Sequence, residues 1–317
     1  MNIICLEPIG ISIKKAESIK EDFLKMGHNF IFFNDRKEDS LSLKQRIKNA
    51  DIAIISNIPL SEDILKEAKN LKMLSIAFTG LDHIDINYCK NNNIIVKNAA
   101  NYATKAVAEL VLGLVLDLYR NITIMDKATR SLSTRGDFLG RQLYGKTIGI
   151  VGTGLIGMET ALLMQKMGCN VIAYSKSEKE IAKKHNIVYV SLEELMQNSD
   201  IISLHTPLTK QTFHLIDRKL LNLCKKDAIL INTSRGNVVD IVALAETLKQ
   251  GKLYGCALDV YEKEPPLDKD NPLLNCNNCI LTPHIGYATK EAFSARIDIV
   301  INNIKEFILS SSHSESL

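Results

Sequence analysis

No stretch of this chain approaches the roughly 18 to 20 consecutive apolar residues that a membrane-crossing helix needs, so no transmembrane segment and no membrane partner are predicted. The start, MNIICLEPIGISIKK, lacks the basic segment and long apolar stretch of a secretory leader, and it reads as a buried first strand of a cytoplasmic protein. No basic block or basic-aromatic stripe stands behind the net charge of +3, which argues against nucleic acid as a partner. The seven cysteines (Cys5, Cys89, Cys169, Cys224, Cys256, Cys276 and Cys279) do not make an even set. Most sit in apolar contexts such as IICL and YGCALDV, as reduced thiols packed in a core do. The one C-x-x-C, Cys276 and Cys279, has no second ligand pair at zinc spacing, so no metal is expected. There is no internal repeat and no low-complexity block.

What is present is a long, core-rich chain. With 317 residues, 46% of them hydrophobic, two domains are expected. Short apolar runs (IICL, FIFF, DIAIIS, MLSIAF, IIVKN) alternate with charged segments such as SEDILKEAKN, the pattern of a parallel α/β sheet. A single long connector helix is predicted from about Thr104 to about Ser131, where Ala106, Leu110, Gly113, Leu114 and Leu118 recur at helical spacing. A second strand series runs from KTIGIVG through NVIAYS, IVYV, DIISLHTP, AILINTS and YGCALDV to CILTPH. A closing helix through KEAFSARIDIVINNIKEFIL then gives way to SSSHSESL, expected to be a disordered polar tail.

In KTIGIVGTGLIGMETALLMQKMG a strand runs into Gly152, Thr153, Gly154, Leu155, Ile156 and Gly157, and a helix follows. Gly152 permits the tight turn, Gly154 lets backbone N–H groups close on a pyrophosphate, and Gly157 allows close helix packing. The helix N-terminus then stabilises the anion. A dinucleotide site is therefore predicted. The next strand ends at Ser175 and Lys176, where NAD-binding sites carry an acid to accept from the ribose 2′-hydroxyl. Hydroxyls and an ammonium group suit a 2′-phosphate instead, so NADP(H) is expected in preference to NAD(H).

Six separated motifs carry a wider resemblance: AFTGLDHID at 77–85, the 152–157 loop, LHTPLT at 204–209, INTSRGNVVD at 231–240, ALDVYEKEPP at 257–266 and LTPHIG at 281–286. Together they make the chain resemble the D-isomer-specific 2-hydroxyacid dehydrogenase family over nearly its whole length. The resemblance implies a Rossmann-type doubly wound parallel sheet (101–284) inserted into a smaller flavodoxin-like α/β substrate domain (1–100 and 285–317), with the catalytic cleft between them. It also implies a homodimer formed through the connector helix and the nucleotide domain. Arg235 of the TSRG motif, Glu264 before Pro265 and His284 of the TPHIG motif take the family's catalytic positions. A guanidinium can hold a substrate carboxylate bidentately and polarise the C2 carbonyl. A charged imidazole can protonate the C2 oxygen as hydride arrives, and Glu264 would keep that ring charged and oriented. By the same resemblance Asp259 and Gly286 lie near the nicotinamide, while His205, Thr206, Pro207, Thr233 and Ser234 run beside the cofactor ribose and phosphates. Thr79, Gly80 and Leu81 would bind the substrate carboxylate through their N–H groups, with Asn57 and Tyr102 contributing side chains. Asp82 and Asp85 read as helix caps, and His83, His205 and His214 as weak competitors for the acid.

Departures from the family narrow the substrate. Phosphoglycerate dehydrogenases of this family carry arginines near the positions of Ser56 or Asn57 and of Ile76, and none of the three is basic here. That would leave a phosphate dianion poorly paired, and no regulatory domain is expected after residue 317. Glu264 argues against formate, since the family's formate dehydrogenases have glutamine there. The resemblance therefore points to an NAD(P)H-dependent reductase of small 2-oxoacids such as glyoxylate or hydroxypyruvate. The alternative is a dinucleotide-sensing protein without turnover, resembling the family's corepressors.

Overall fold

The computed structural model describes residues 1–263 and 266–314, so Glu264 lies outside the described residues. The chain forms two compact units, one of Met1–Ala103 with Ala288–Leu317 and one of Thr104–Tyr287.

The first unit holds five parallel strands: β1 (Asn2–Cys5), β2 (Asn29–Phe32), β3 (Ile52–Ile55), β4 (Met73–Ile76) and β5 (Ile95–Asn98). They pair in the order β2-β1-β3-β4-β5, the flavodoxin-like arrangement. In β3 (IAII) and β4 (MLSI) every residue is buried, because helices cover both faces of a parallel sheet and leave no polar side to alternate with. The helices start where local chemistry predicts. Ser12 accepts from the N–H of Lys15, Asp39 from Ser42 and Asp85 from Tyr88.

The second unit holds seven parallel strands: β6 (Thr147–Val151), β7 (Asn170–Tyr174), β8 (Val188–Tyr189), β9 (Ile201–Leu204), β10 (Ile229–Asn232), β11 (Gly255–Leu258) and β12 (Cys279–Leu281). Their order is β12-β11-β10-β9-β6-β7-β8, so β6 pairs with both β7 and β9 and the strand order reverses there. That reversal is the switch point at which open α/β sheets bind nucleotides. Adjacent strand residues point to opposite faces. Ile201, Ile229, Ile231 and Ala257 enter one apolar cluster, whereas Ile202, Leu204, Leu230 and Leu258 enter the other.

The predicted connector helix is two helices, Thr104–Arg120 and Ile122–Arg130. Asn121 between them is left-handed (φ 49°), a conformation that asparagine tolerates, and Asp117 accepts from the N–H (2.8 Å) and hydroxyl (2.5 Å) of Thr123 to start the second helix. The first of these helices buries Val111, Leu114, Val115, Leu118 and Tyr119 in the second unit's own core. The last helix, Lys290–Ser314, continues past Leu309, where a disordered tail was expected. The hydroxyls of Ser310 and Ser311 donate back to the carbonyl of Phe307 (2.8 and 2.9 Å), satisfying themselves within the helix.

Candidate active site

The glycine-rich loop leaves the end of β6 and meets the end of β9. A Cβ on Gly152 would lie 2.8 Å from the carbonyl oxygen of His205, and φ there is +97°, so this turn admits glycine alone. A Cβ on Gly157 would lie 2.0 Å from the carbonyl oxygen of Gly152. At Gly154 the same test meets nothing within 4 Å: the loop is open on the side a pyrophosphate would approach. Gly154 also caps the helix Leu155–Lys166 with no side chain bonded to its first N–H groups, which leaves an anion-binding helix terminus. Two buried hydroxyl oxygens at neighbouring strand ends, Oγ1 of Thr206 and Oγ1 of Thr233, have no hydrogen-bond partner. An open glycine cradle, an uncapped helix start and two unsatisfied hydroxyls suit a dinucleotide. Leu155 beside the loop is an exposed apolar surface.

Thr153 is used differently from the loop glycines. Its hydroxyl accepts from Tyr189 (2.8 Å), whose oxygen in turn accepts from the N–H of Lys179 (3.0 Å). Tyr189, at the end of β8, thereby ties the glycine-rich loop to the segment after β7. Ser175 is half-buried and Lys176 exposed on that segment, and among the described residues Lys176 makes no ion pair.

Arg235 follows β10. Asn232, fully buried at the strand end, accepts from both the N–H and the hydroxyl of Ser234 (3.0 and 2.8 Å) and donates to the carbonyl of Arg235 (2.9 Å). This side chain staples the turn. Gly236 next to it admits no Cβ, which would lie 2.0 Å from the backbone carbon of Tyr261. Sequence reasoning missed Asn232 and Tyr189. Their polar atoms are intramolecular, and only the folded strand ends show what they bind.

His284 follows β12 and is half-buried, with a left-handed backbone (φ 55°) and its ring edge-on to Tyr287 at 5.4 Å. Such a conformation costs energy outside glycine and is held by its surroundings. Asp259, 1% exposed at the end of β11, does the holding: Oδ1 accepts from the Thr282 hydroxyl (2.6 Å) and the Ile285 N–H (2.8 Å), and Oδ2 from the Gly286 N–H (2.7 Å). Tyr261 braces the same loop, its hydroxyl set between the carbonyls of Leu258 and Thr282. The N–H of Gly286 and both oxygens of Asp259 are therefore engaged within the loop.

Each competing histidine has a partner of its own. Loss of water around His205 lowers its pKa to about 4, and its Nε2 pairs with the buried Ser203 hydroxyl at 2.8 Å, so near neutral pH the ring is uncharged and is no imidazolium acid. His214 faces Glu262 at 3.5 Å, and His83 lies edge-on to Phe78.

In the first unit the candidate substrate residues also follow strand ends. Asn57 comes after β3, Thr79, Gly80 and Leu81 after β4, and Tyr102 after β5. The carbonyl of Thr79 accepts from Asn98 (2.6 Å). Asn57 does have an arginine beside it, because Nη1 of Arg36 donates to its Oδ1 at 2.8 Å. That guanidinium is already neutralised by Glu7 and Glu38, both at 2.6 Å.

Residues 112–286 match the model of the D-isomer specific 2-hydroxyacid dehydrogenase NAD binding domain. The chain is 38% identical to a glyoxylate reductase of Thermococcus litoralis over 84% of its own length and 82% of that protein's. It is 41% identical to a D-3-phosphoglycerate dehydrogenase of Methanocaldococcus jannaschii over 94% of its length, but spans only 57% of that protein. Among solved structures, an acyclic imino acid reductase in complex with NADPH and D-Arg superposes with a TM-score of 0.89 at 32% identity, covering 98% of both chains. No helix among the described residues is long and apolar enough to cross a membrane. With its motifs, its paired sheet orders and these matches, the chain belongs to the D-isomer-specific 2-hydroxyacid dehydrogenase family.

Proposed function

We propose that this NAD(P)-dependent dehydrogenase reduces a small 2-oxoacid to the D-2-hydroxyacid, with Arg235 and His284 as its reacting side chains. The observation that carries the assignment is that both follow strand ends at the same edge of the nucleotide sheet, β10 and β12 with β11 between them, each on a loop stapled by a buried polar side chain, Asn232 for one and Asp259 for the other. Gly152, Thr153, Gly154, Leu155, Ile156 and Gly157 would hold the pyrophosphate, and Thr206 and Thr233 would lend their unsatisfied hydroxyls. A bound nicotinamide supplies the hydride. Arg235 holds the substrate carboxylate and draws electron density from the C2 carbonyl; His284 gives the C2 oxygen its proton. Glu264 is assigned to orienting His284 on the family resemblance, and Thr79, Gly80, Leu81, Asn57 and Tyr102 to substrate contact on the same ground.

The finer assignments are part of this proposal. Ser175 and Lys176 favour NADP(H) over NAD(H), since no acid at that strand end repels a 2′-phosphate. A homodimer forming through the Ile122–Arg130 helix would cover Ile122 and Ile124, which are 55% and 49% exposed, with Leu132 beyond them at 97%. The chain works in the cytoplasm. The deciding experiment is a panel of 2-oxoacids, glyoxylate and hydroxypyruvate included, against NADPH and NADH. Steady oxidation of the reduced cofactor supports the dehydrogenase, and tight dinucleotide binding with no turnover would replace it with a sensor.

A further inference from the structure

Cys256 and Cys279 stand opposite one another in the pairing of β11 with β12, and their Sγ atoms lie 3.1 Å apart. Neighbouring parallel strands run roughly 4.8 Å apart, inside the Cα separations that a disulfide spans, so the two sulfurs can bond without moving the backbone. Hydrogen bonds fix the strands at this point. The N–H of Cys256 donates to the carbonyl of Asn278 (3.1 Å), and the side-chain amide of Asn278 donates to the carbonyl of Tyr254 (2.7 Å). The pairing is not the one that the C-x-x-C spacing suggests, because Sγ of Cys276 faces the carbonyls of Pro272 (3.6 Å) and Ala245 (4.0 Å) instead. The two paired sulfurs differ in exposure. Cys256 is fully buried, and loss of water pushes its thiol pKa well up, whereas Cys279, on the sheet's outermost strand, is half-buried.

A half-buried thiol with a second thiol in contact is what a two-step oxidation to a disulfide needs. We propose that Cys279 is a modification site for hydroperoxides and that Cys256 resolves it to a disulfide. The Cys279 sulfur, as thiolate, attacks one peroxide oxygen. The O–O bond breaks, the sulfur becomes a sulfenic acid, and the leaving alkoxide or hydroxide takes up the proton that the thiol gave up. The Cys256 sulfur then attacks the Cys279 sulfur, an S–S bond forms, and the sulfenic oxygen leaves as water with the Cys256 proton. Two thiols lose two electrons, and the hydroperoxide is reduced to an alcohol and water, or to water alone when it is hydrogen peroxide. In a reducing compartment such a pair stays as thiols until an oxidant arrives, and thiol exchange afterwards restores it. Three residues further along each strand stand Asp259 and Thr282, whose side chains bond at 2.6 Å, so the disulfide ties together the two strands that carry the His284 loop.

The test treats the reduced, folded protein with a small excess of hydrogen peroxide, removes the peroxide with catalase, and counts thiols by alkylation in denaturant. The seven alkylatable cysteines should fall by two, and dithiothreitol should return both. Cys276 and Cys279 share the tryptic peptide between Lys269 and Lys290, so variants locate the bond. Cys276→Ser should keep the cross-link, while Cys256→Ser and Cys279→Ser should each abolish it. Cys256→Ser should also leave Cys279 as a sulfenic acid that dimedone traps. Because the bond restrains the unfolded chain, oxidised wild type should melt about 3 to 10 °C above the reduced protein. A wild type that keeps all its thiols, or loses them beyond recovery by dithiothreitol, overturns the inference even if a variant fails to fold. So does a cross-link that survives Cys279→Ser or vanishes in Cys276→Ser. A Tm lowered by oxidation overturns it too, since the strands would then have had to move.

Discussion

The carboxylate of Asp259 carries the loop on which His284 stands, accepting from the residues on either side of it, Thr282 at 2.6 Å, Ile285 at 2.8 Å and Gly286 at 2.7 Å. Family resemblance places this aspartate near the cofactor, and its contacts make it first a positioning residue for the histidine. Asp259→Asn would turn an N–H₂ group toward at least one of these donors. The expected cost is about 1 to 3 kcal/mol of stability and a fall in kcat, with the KM for the dinucleotide nearly unchanged. A raised cofactor KM at normal kcat would return Asp259 to direct cofactor contact.

Tyr189 links Thr153 and the N–H of Lys179 through one hydroxyl oxygen. Tyr189→Phe removes both bonds and keeps the ring, so the glycine-rich loop and the segment carrying Ser175 lose their common anchor. Dinucleotide affinity should fall by roughly 3- to 10-fold, the range of one or two neutral hydrogen bonds, with kcat little changed. Equal affinity for wild type and variant by fluorescence titration would show that the two segments hold their places alone.

Much of this geometry was legible in the sequence, and what escaped it has physical reasons. The strands of both sheets and the glycine-rich loop are local patterns, since burial on both faces demands continuous β-branched runs and the tight turn at Gly152 demands glycine. The break at Asn121 turns on a single left-handed residue inside an apolar periodicity that continues on both sides. The helical turn at Ser310 and Ser311 comes from hydroxyls bonding back to Phe307, where polarity alone suggests disorder. Cys279 reads in the sequence as the partner of Cys276. Only the register of β12 on β11 sets its sulfur against that of Cys256 instead.

Cofactor choice is tested at Ser175. An aspartate there should repel a 2′-phosphate and accept from the ribose of NAD, moving the kcat/KM ratio toward NADH while leaving the chemistry at His284 alone. A wild type that already favours NADH would mean that Lys176 serves only the surface.

His205 gives a signed pH dependence. Its folded pKa of about 4 lies below the ordinary 6.5, so between those values the unfolded chain binds a proton that the folded chain refuses. Stability is therefore present above pH 6.5 and is lost as pH falls toward 4, by at most about 3 kcal/mol from this residue. His205→Gln should flatten the Tm profile in that window. A profile as steep as wild type's would assign the acid sensitivity to other groups.

The most direct measurement of the central claim is Arg235→Ala examined for turnover and dinucleotide affinity together. Arg235 is assigned to the substrate carboxylate and the C2 carbonyl, so kcat/KM for 2-oxoacids should drop by roughly 100-fold or more, the scale of losing a preorganised charged donor, while the Kd for NADPH stays within a few-fold of wild type. Near-normal kcat/KM in that variant would remove Arg235 from the mechanism and contradict the assignment.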